Sequence, residues 1–191
     1  MKQLNMISRM ENIPAFEIEN GYTIRMFGTG DEAVWTEICK NGLLGENDGI
    51  ESFEKCMLSE KGLVPEKDIF FVCDTDGKEV VTCTAFINAN NIGHIHMLAA
   101  KPEARGHRLG YAMTVYSLNK LDKEVEKDKR MVWLSTDDWR VSAVKAYLNA
   151  GLQPVLYDID MDKRWKDICD KLDIHGIEMV DENGNPTGVM L

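Results

Sequence analysis

The sequence predicts an α+β fold, a single domain built on a mixed, mostly antiparallel sheet with helices packed on it. Two features predict it. Residues 69–100 hold three apolar, β-rich runs separated by turn residues, and from Arg105 onward the apolar spacing changes to that of a helix. The chain after residue 105 then alternates helix, strand, helix, strand. Its 191 residues and 44% hydrophobic content suit one domain with a sizeable core.

Each element has its own local reason. Residues 1–20, interrupted by Pro14, read as an irregular lead-in. "GYTIRMF" (21–27) alternates as a first strand, and Thr29-Gly30-Asp31 breaks it. Asp31 is placed to cap a helix carrying Ala33, Val34, Trp35 and Ile38, with Gly42 near its end. A second helix covers 50–58, before a loop at Gly62 and Pro65. Residues 69–73 and 80–87 pair as a hairpin through Asp76-Gly77, and 92–100 follow as the next strand. Leu109, Ala112, Met113 and Tyr116 fall at i, i+3, i+4, i+7, and Leu118, Leu121 and Val125 extend that face. "MVWLST" (131–136) is a short strand. Asp137 or Asp138 would cap the helix that carries Val141, Val144 and Leu148, and Gly151 stands where a helix-ending glycine belongs. "QPVLY" is a further strand, 161–172 a charged helix with Trp165, Ile168 and Leu172 on one side, and Asn183-Gly184 the turn of a last hairpin. The expected division is a lead-in at 1–20, the main domain at 21–157 and an extension at 158–191.

Composition narrows the function. With Lys+Arg 22 against Asp+Glu 32, the net charge is −10, which disfavours a nucleic-acid binder. Five cysteines without a C-x-x-C pair point to reduced thiols and a cytoplasmic protein. The first residues lack a signal-peptide pattern, and no apolar run is long enough to span a membrane.

The informative stretch is "GHIHMLAAKPEARGHRLGYAM" (93–113). A strand that enters a glycine-containing turn and then a helix makes an anion site, because the first helical amides have no intrahelical acceptor and the helix dipole adds positive potential. Gly106 and Gly110 allow close approach, and Lys101, Arg105 and Arg108 add charge. Neither the Walker nor the three-glycine dinucleotide spacing is present. On these residues alone, diphosphate binding and simple tight-turn packing both stand.

"LAAKPEARGHRLGYAM" resembles the acyl-coenzyme A motif [Q/R]-x-x-G-x-[G/A] of the GNAT (Gcn5-related) N-acetyltransferases. Arg105 matches its first position, Gly110 its last and Pro102 the preceding V-x-P, while Arg108 replaces the commonest Gly. "AVKAYLNAGL" is similar to the family's A-x-x-x-Y-x-x-x-G-[F/L] segment through Ala143, Tyr147, Gly151 and Leu152, with Arg140 where Asn is frequent. The resemblance implies helices on both sheet faces and a splay between the strands at 92–100 and 131–136. It implies acetyl-CoA as co-substrate. The backbone of Leu98, Ala99 and Ala100 would hold the pantetheine arm like an added strand. Arg105 and the turn Gly106, His107, Arg108, Leu109, Gly110, Tyr111 would hold the pyrophosphate. No metal is implied.

The resemblance also implies Tyr147 as the acid that protonates the leaving thiolate. His94 and His96 lie on one strand face together with Leu98. H-x-H-x-L-A-[A/V] resembles the arylalkylamine N-acetyltransferases, where such histidines help deprotonate the amine. Metal ligation with Glu103 suits an all-β barrel and conflicts with the helix after Arg105, whereas a pair at the core edge without a role stays open. The expected acceptor is the primary amine of a small molecule or peptide, with a homodimer possible. The other reading is an acyl-CoA-binding regulatory module of the same fold without turnover.

Overall fold

The structure is a computed structural model and describes residues 2–126 and 130–190. Its main sheet has seven strands in the order β2-β3-β4-β5-β6-β1-β7: β1 Leu4–Ser8, β2 Thr23–Met26, β3 Ile69–Cys73, β4 Glu79–Ile87, β5 Gly93–Ala100, β6 Val132–Thr136 and β7 Gln153–Pro154. Neighbours are antiparallel except β5 and β6, which run parallel. A separate hairpin, β8 Ile177–Val180 with β9 Pro186–Met190, turns at 181–185, where the Asp181 carboxylate accepts the Asn183 and Asn185 amides.

The central strands are apolar on both faces because both are covered. On β3, Ile69 and Phe71 pack under α1 (Glu32–Cys39) and α2 (Glu51–Phe53), which continues as a π turn through Glu54–Leu58. Phe70 and Val72 face α4 (Leu109–Glu124) and α5 (Val141–Asn149) on the other side. A short α3 (Pro65–Asp68) leads into β3, and α6 (Met161–Leu172) buries Met161, Trp165, Ile168 and Cys169 while its charged residues face outward. No helix among the described residues is long and apolar enough to cross a membrane.

Four local expectations need correction. The lead-in is not irregular throughout: β1 lies between β6 and β7, paired from Leu4 with Thr136 to Ser8 with Val132. Its flanking position buries Leu4, Met6, Ile7 and Ser8 without alternation, so period two is invisible there. "QPVLY" supplies only β7 and a bridge from Val155 to Val180, since Pro154 has no N–H to extend a ladder. Asp31 occupies the position before α1, but its carboxylate binds the Arg25 guanidinium at 2.6 and 3.0 Å and the Gly28 amide at 2.7 Å. Neither Asp137 nor Asp138 caps α5. Asp137 accepts from Arg140 Nε at 2.9 Å, and Asp138 takes Arg164 of α6 at 2.9 and 2.6 Å.

Candidate active site

β5 and β6 start side by side and then separate. Their pairing is confined to Gly93 with Val132 and His94 with Trp133. Glycine is required at this root: a Cβ on residue 93 would stand 2.8 Å from Val132 Cγ2 and 3.2 Å from Leu121 Cδ1. Beyond the root, the β5 backbone groups that would have joined β6 line an opening. The resulting cleft of about 90 Å³ is walled by Ile95 and Leu98 of β5, Leu134 and Ser135 of β6, and Tyr147 of α5.

A bulge redirects the second half of β5. Between the pairs Thr82 with Ala99 and Thr84 with His96, Cys83 alone faces Met97 and Leu98, and Met97 takes φ +49°. One added residue reverses the side-chain alternation. Leu98 therefore leaves the face of His94 and His96 and packs on the α4 side with Ile95, while Ala99 returns to the α1 side. The strand alternation had placed Leu98 with the histidines. Opposite the bulge, burial pushes the Cys83 thiol up to about 12, so it stays protonated core.

β5 feeds directly into the glycine turn. A single 3-10 turn at Pro102–Ala104 precedes it, Gly106 takes φ +87°, Arg108 takes φ +53°, and α4 begins at Leu109. Among the described residues no protein acceptor takes the amide hydrogens of 106–111. The first bond into the helix comes from Ala112 to the Arg108 carbonyl, 3.0 Å. A Cβ at Gly106 or Gly110 would meet nothing within 4 Å, so a ligand has room over the backbone. No carboxylate among the described residues pairs with Lys101, Arg105 or Arg108, and the Arg108 guanidinium lies 4.9 Å over the Tyr111 ring. The His107 ring turns away to Glu19, donating from Nδ1 at 3.0 Å, and packs on Tyr22, which leaves its amide to the turn. Six unclaimed amides, two open glycines and three free cations fit a diphosphate.

The two histidines differ in environment. His94 is buried, stacked on Trp133 at 4.2 Å and 11°, with Phe86 and His96 each 5.1 Å away. Burial, helped by the neighbouring His96, lowers its pKa to about 3, so it is a neutral packed ring at physiological pH. His96 is partly exposed, and its Nε2 donates to the Cys56 carbonyl of the π turn at 3.2 Å. That bond places the proton on Nε2 and leaves Nδ1 as the basic nitrogen. Burial lowers the His96 pKa too, opposed by the Cys56 carbonyl and the Glu60 charge. Tyr147 is buried on α5 at the cleft wall, and burial raises its phenol above the ordinary 10, keeping it a proton donor. Among the described residues no three His, Cys, Asp or Glu side chains converge to hold a metal.

Comparison with known proteins agrees with this architecture. The Acetyltransferase (GNAT) family pattern matches residues 36–152, more than half of the chain. The chain belongs to the GNAT family. A mycothiol acetyltransferase of Sanguibacter keddieii is 27% identical over 163 residues, 81% of this chain and 50% of that protein. A GCN5-related N-acetyltransferase from Sphaerobacter thermophilus superposes with a TM-score of 0.64 at 23% identity, over 80% of this chain and 48% of that one. The Escherichia coli ribosomal-protein-S18-alanine N-acetyltransferase gives a TM-score of 0.52 at 19% identity, over 68% of this chain and 76% of that one. This GNAT chain spans about half the length of the first two. The structural likenesses establish the fold.

Within the GNAT frame, the departure at Arg108 gains a physical meaning. The motif's usual glycine suits a left-handed residue, and here an arginine adopts that conformation. Two cleft features have little sequence signal. Ser135 looks like any strand residue. Arg140 reaches across the cleft mouth to the Gly42 carbonyl at 2.6 Å, tying the loop after α1 to the start of α5. Gly93 could have been found, since glycine inside a strand marks close backbone approach.

Proposed function

We propose that this chain transfers an acetyl group from acetyl-CoA to a primary amine of a small molecule or peptide. The observation that carries the reading is the splay of β5 from β6 leading straight into the unclaimed amides of 106–111. Leu98, Ala99 and Ala100 would pair with the pantetheine arm along the splayed edge. The amides of Gly106, His107, Arg108, Leu109, Gly110 and Tyr111, with the Arg105 charge, would hold the pyrophosphate.

The amine attacks the thioester carbonyl only when neutral. His96 Nδ1 takes its proton, directly or through water, the C–N bond forms, the C–S bond breaks, and Tyr147 protonates the departing thiolate. Trp35 Nε1, Thr82 Oγ1 and Thr84 Oγ1 are buried without a protein partner among the described residues, and Thr84 is the cross-strand neighbour of His96. Buried polar atoms of this kind are met by ordered water, which supports a relay on this face. His94 then serves as packing that holds the His96 ring rather than as the base.

Thiol release from acetyl-CoA with a panel of small amines and peptides tests the reading. Turnover with an amine is the expected result, and binding of acetyl-CoA without turnover on any acceptor would instead identify a regulatory module. Arg105→Ala with Gly110→Glu abolishes acetyl-CoA binding while the protein stays folded, because position 110 has open space for the side chain. Normal binding by that double variant would refute the pyrophosphate assignment.

A further inference from the structure

A second recess lies on the outer side of α2 and its π turn. Two adjoining hollows, of about 490 and 400 Å³, share Glu51, Glu54 and Leu58. The shared residues fall at i, i+3 and i+7, one face of the helical segment. The floor is apolar and uncovered, with Ile50 58% and Leu58 56% exposed beside Phe27 and Phe53. The rim carries Glu32, Glu51, Glu54 and Glu66; among the described residues none of them is in an ion pair, and Lys55 is the one cation in either lining.

We propose that this groove binds a peptide stretch in which apolar side chains alternate with Lys or Arg, part of the acceptor or of the protein that carries it. The apolar floor takes the hydrophobic side chains, and the four carboxylates call for several cations rather than the single charge of a compact amine. A flexible polyamine has the charge but only thin methylene spacers to set against the floor. The groove also has a defined relation to the candidate base. The inner side of the same segment holds His96 through the Cys56 carbonyl. Groove and candidate base therefore share one structural element, so a docked peptide lies against the segment that holds His96. The proposal rests on the acetyl-transfer reading for its purpose, though the binding surface does not.

The test uses the full chain and three probes: an octapeptide Ala-Ser-Ala-Lys-Leu-Phe-Arg-Leu amide, the same peptide with Glu in place of Lys and Arg, and spermidine. Fluorescence-detected titration is expected to give the basic peptide an affinity about tenfold above either other probe, weakening with salt. Glu51→Lys with Glu54→Lys removes that margin, and Leu58→Ser weakens the basic peptide. Both variants keep acetyl-CoA binding and the wild-type melting temperature. Equal binding of the three probes, or binding untouched by the variants, overturns the proposal. The two readings fail separately. Turnover on a small amine without peptide preference removes only the groove, whereas peptide binding that depends on the glutamates, without turnover on any amine, removes only the enzyme.

Discussion

Replacing His94 with Phe is expected to flatten the acid side of the stability curve. His94 is 6% exposed, and burial lowers its pKa from 6.5 to about 3, with the His96 charge adding to the effect. The unfolded chain therefore takes up this proton first. The contribution of neutral His94 is complete above the unfolded pKa and is lost as pH falls through the window from about 6.5 to about 3. Lowering pH from about 7.5 to about 5 costs on the order of 2 kcal/mol from this one group. Phe is larger, a packing change that does not depend on pH and cancels between the two conditions, and it keeps a ring against Trp133 but cannot bind a proton. Urea unfolding of both proteins at the two pH values measures the effect, since titration of all other groups largely cancels. The wild type should lose about 2 kcal/mol more than His94→Phe. Parallel losses, or a His94 ring resonance titrating near 6.5, would refute the argument and return His94 to the list of bases.

Four further outcomes follow from the geometry. Tyr147→Phe lowers kcat by about 100-fold with acetyl-CoA affinity unchanged, and an unaltered kcat removes the acid role. His96→Ala abolishes the acid limb of the kcat/KM profile, a limb that lies below the ordinary imidazole range because burial lowers this pKa; a limb that persists assigns the base elsewhere. Arg108→Gly raises stability by about 1 kcal/mol in thermal unfolding, because glycine adopts φ +53° without strain, while acetyl-CoA binding weakens through the lost charge. Gly93→Ala costs about 1–3 kcal/mol, since its Cβ would meet Val132 at 2.8 Å, and a melting temperature equal to wild type contradicts that crowding.

The glycine turn before α4 was legible because it is local. Its amides belong to consecutive residues, and a strand entering a glycine turn and a helix makes them converge without help from the rest of the fold. The charged helix at 161–172 was legible for a related reason, since its apolar residues recur at helical spacing and one face is buried. β1 was not. It is covered on both faces, and its place between β6 and β7 comes from residues 124 or more positions away. The faces of β5 were half legible: His94 and His96 share a side as period two requires, but the bulge at Met97 moves Leu98 to the other.

Local covalent spacing determined most of the elements, the family motif and the glycine turn before α4, because helix periodicity, turn residues and unpaired amides act over a few neighbouring residues. The difference between the two histidines arises only in the tertiary structure. Trp133 covers one ring, and a carbonyl 40 residues away in sequence fixes the proton on the other. Desolvation and hydrogen bonding set basicity, and both depend on which distant segments the fold packs against a residue.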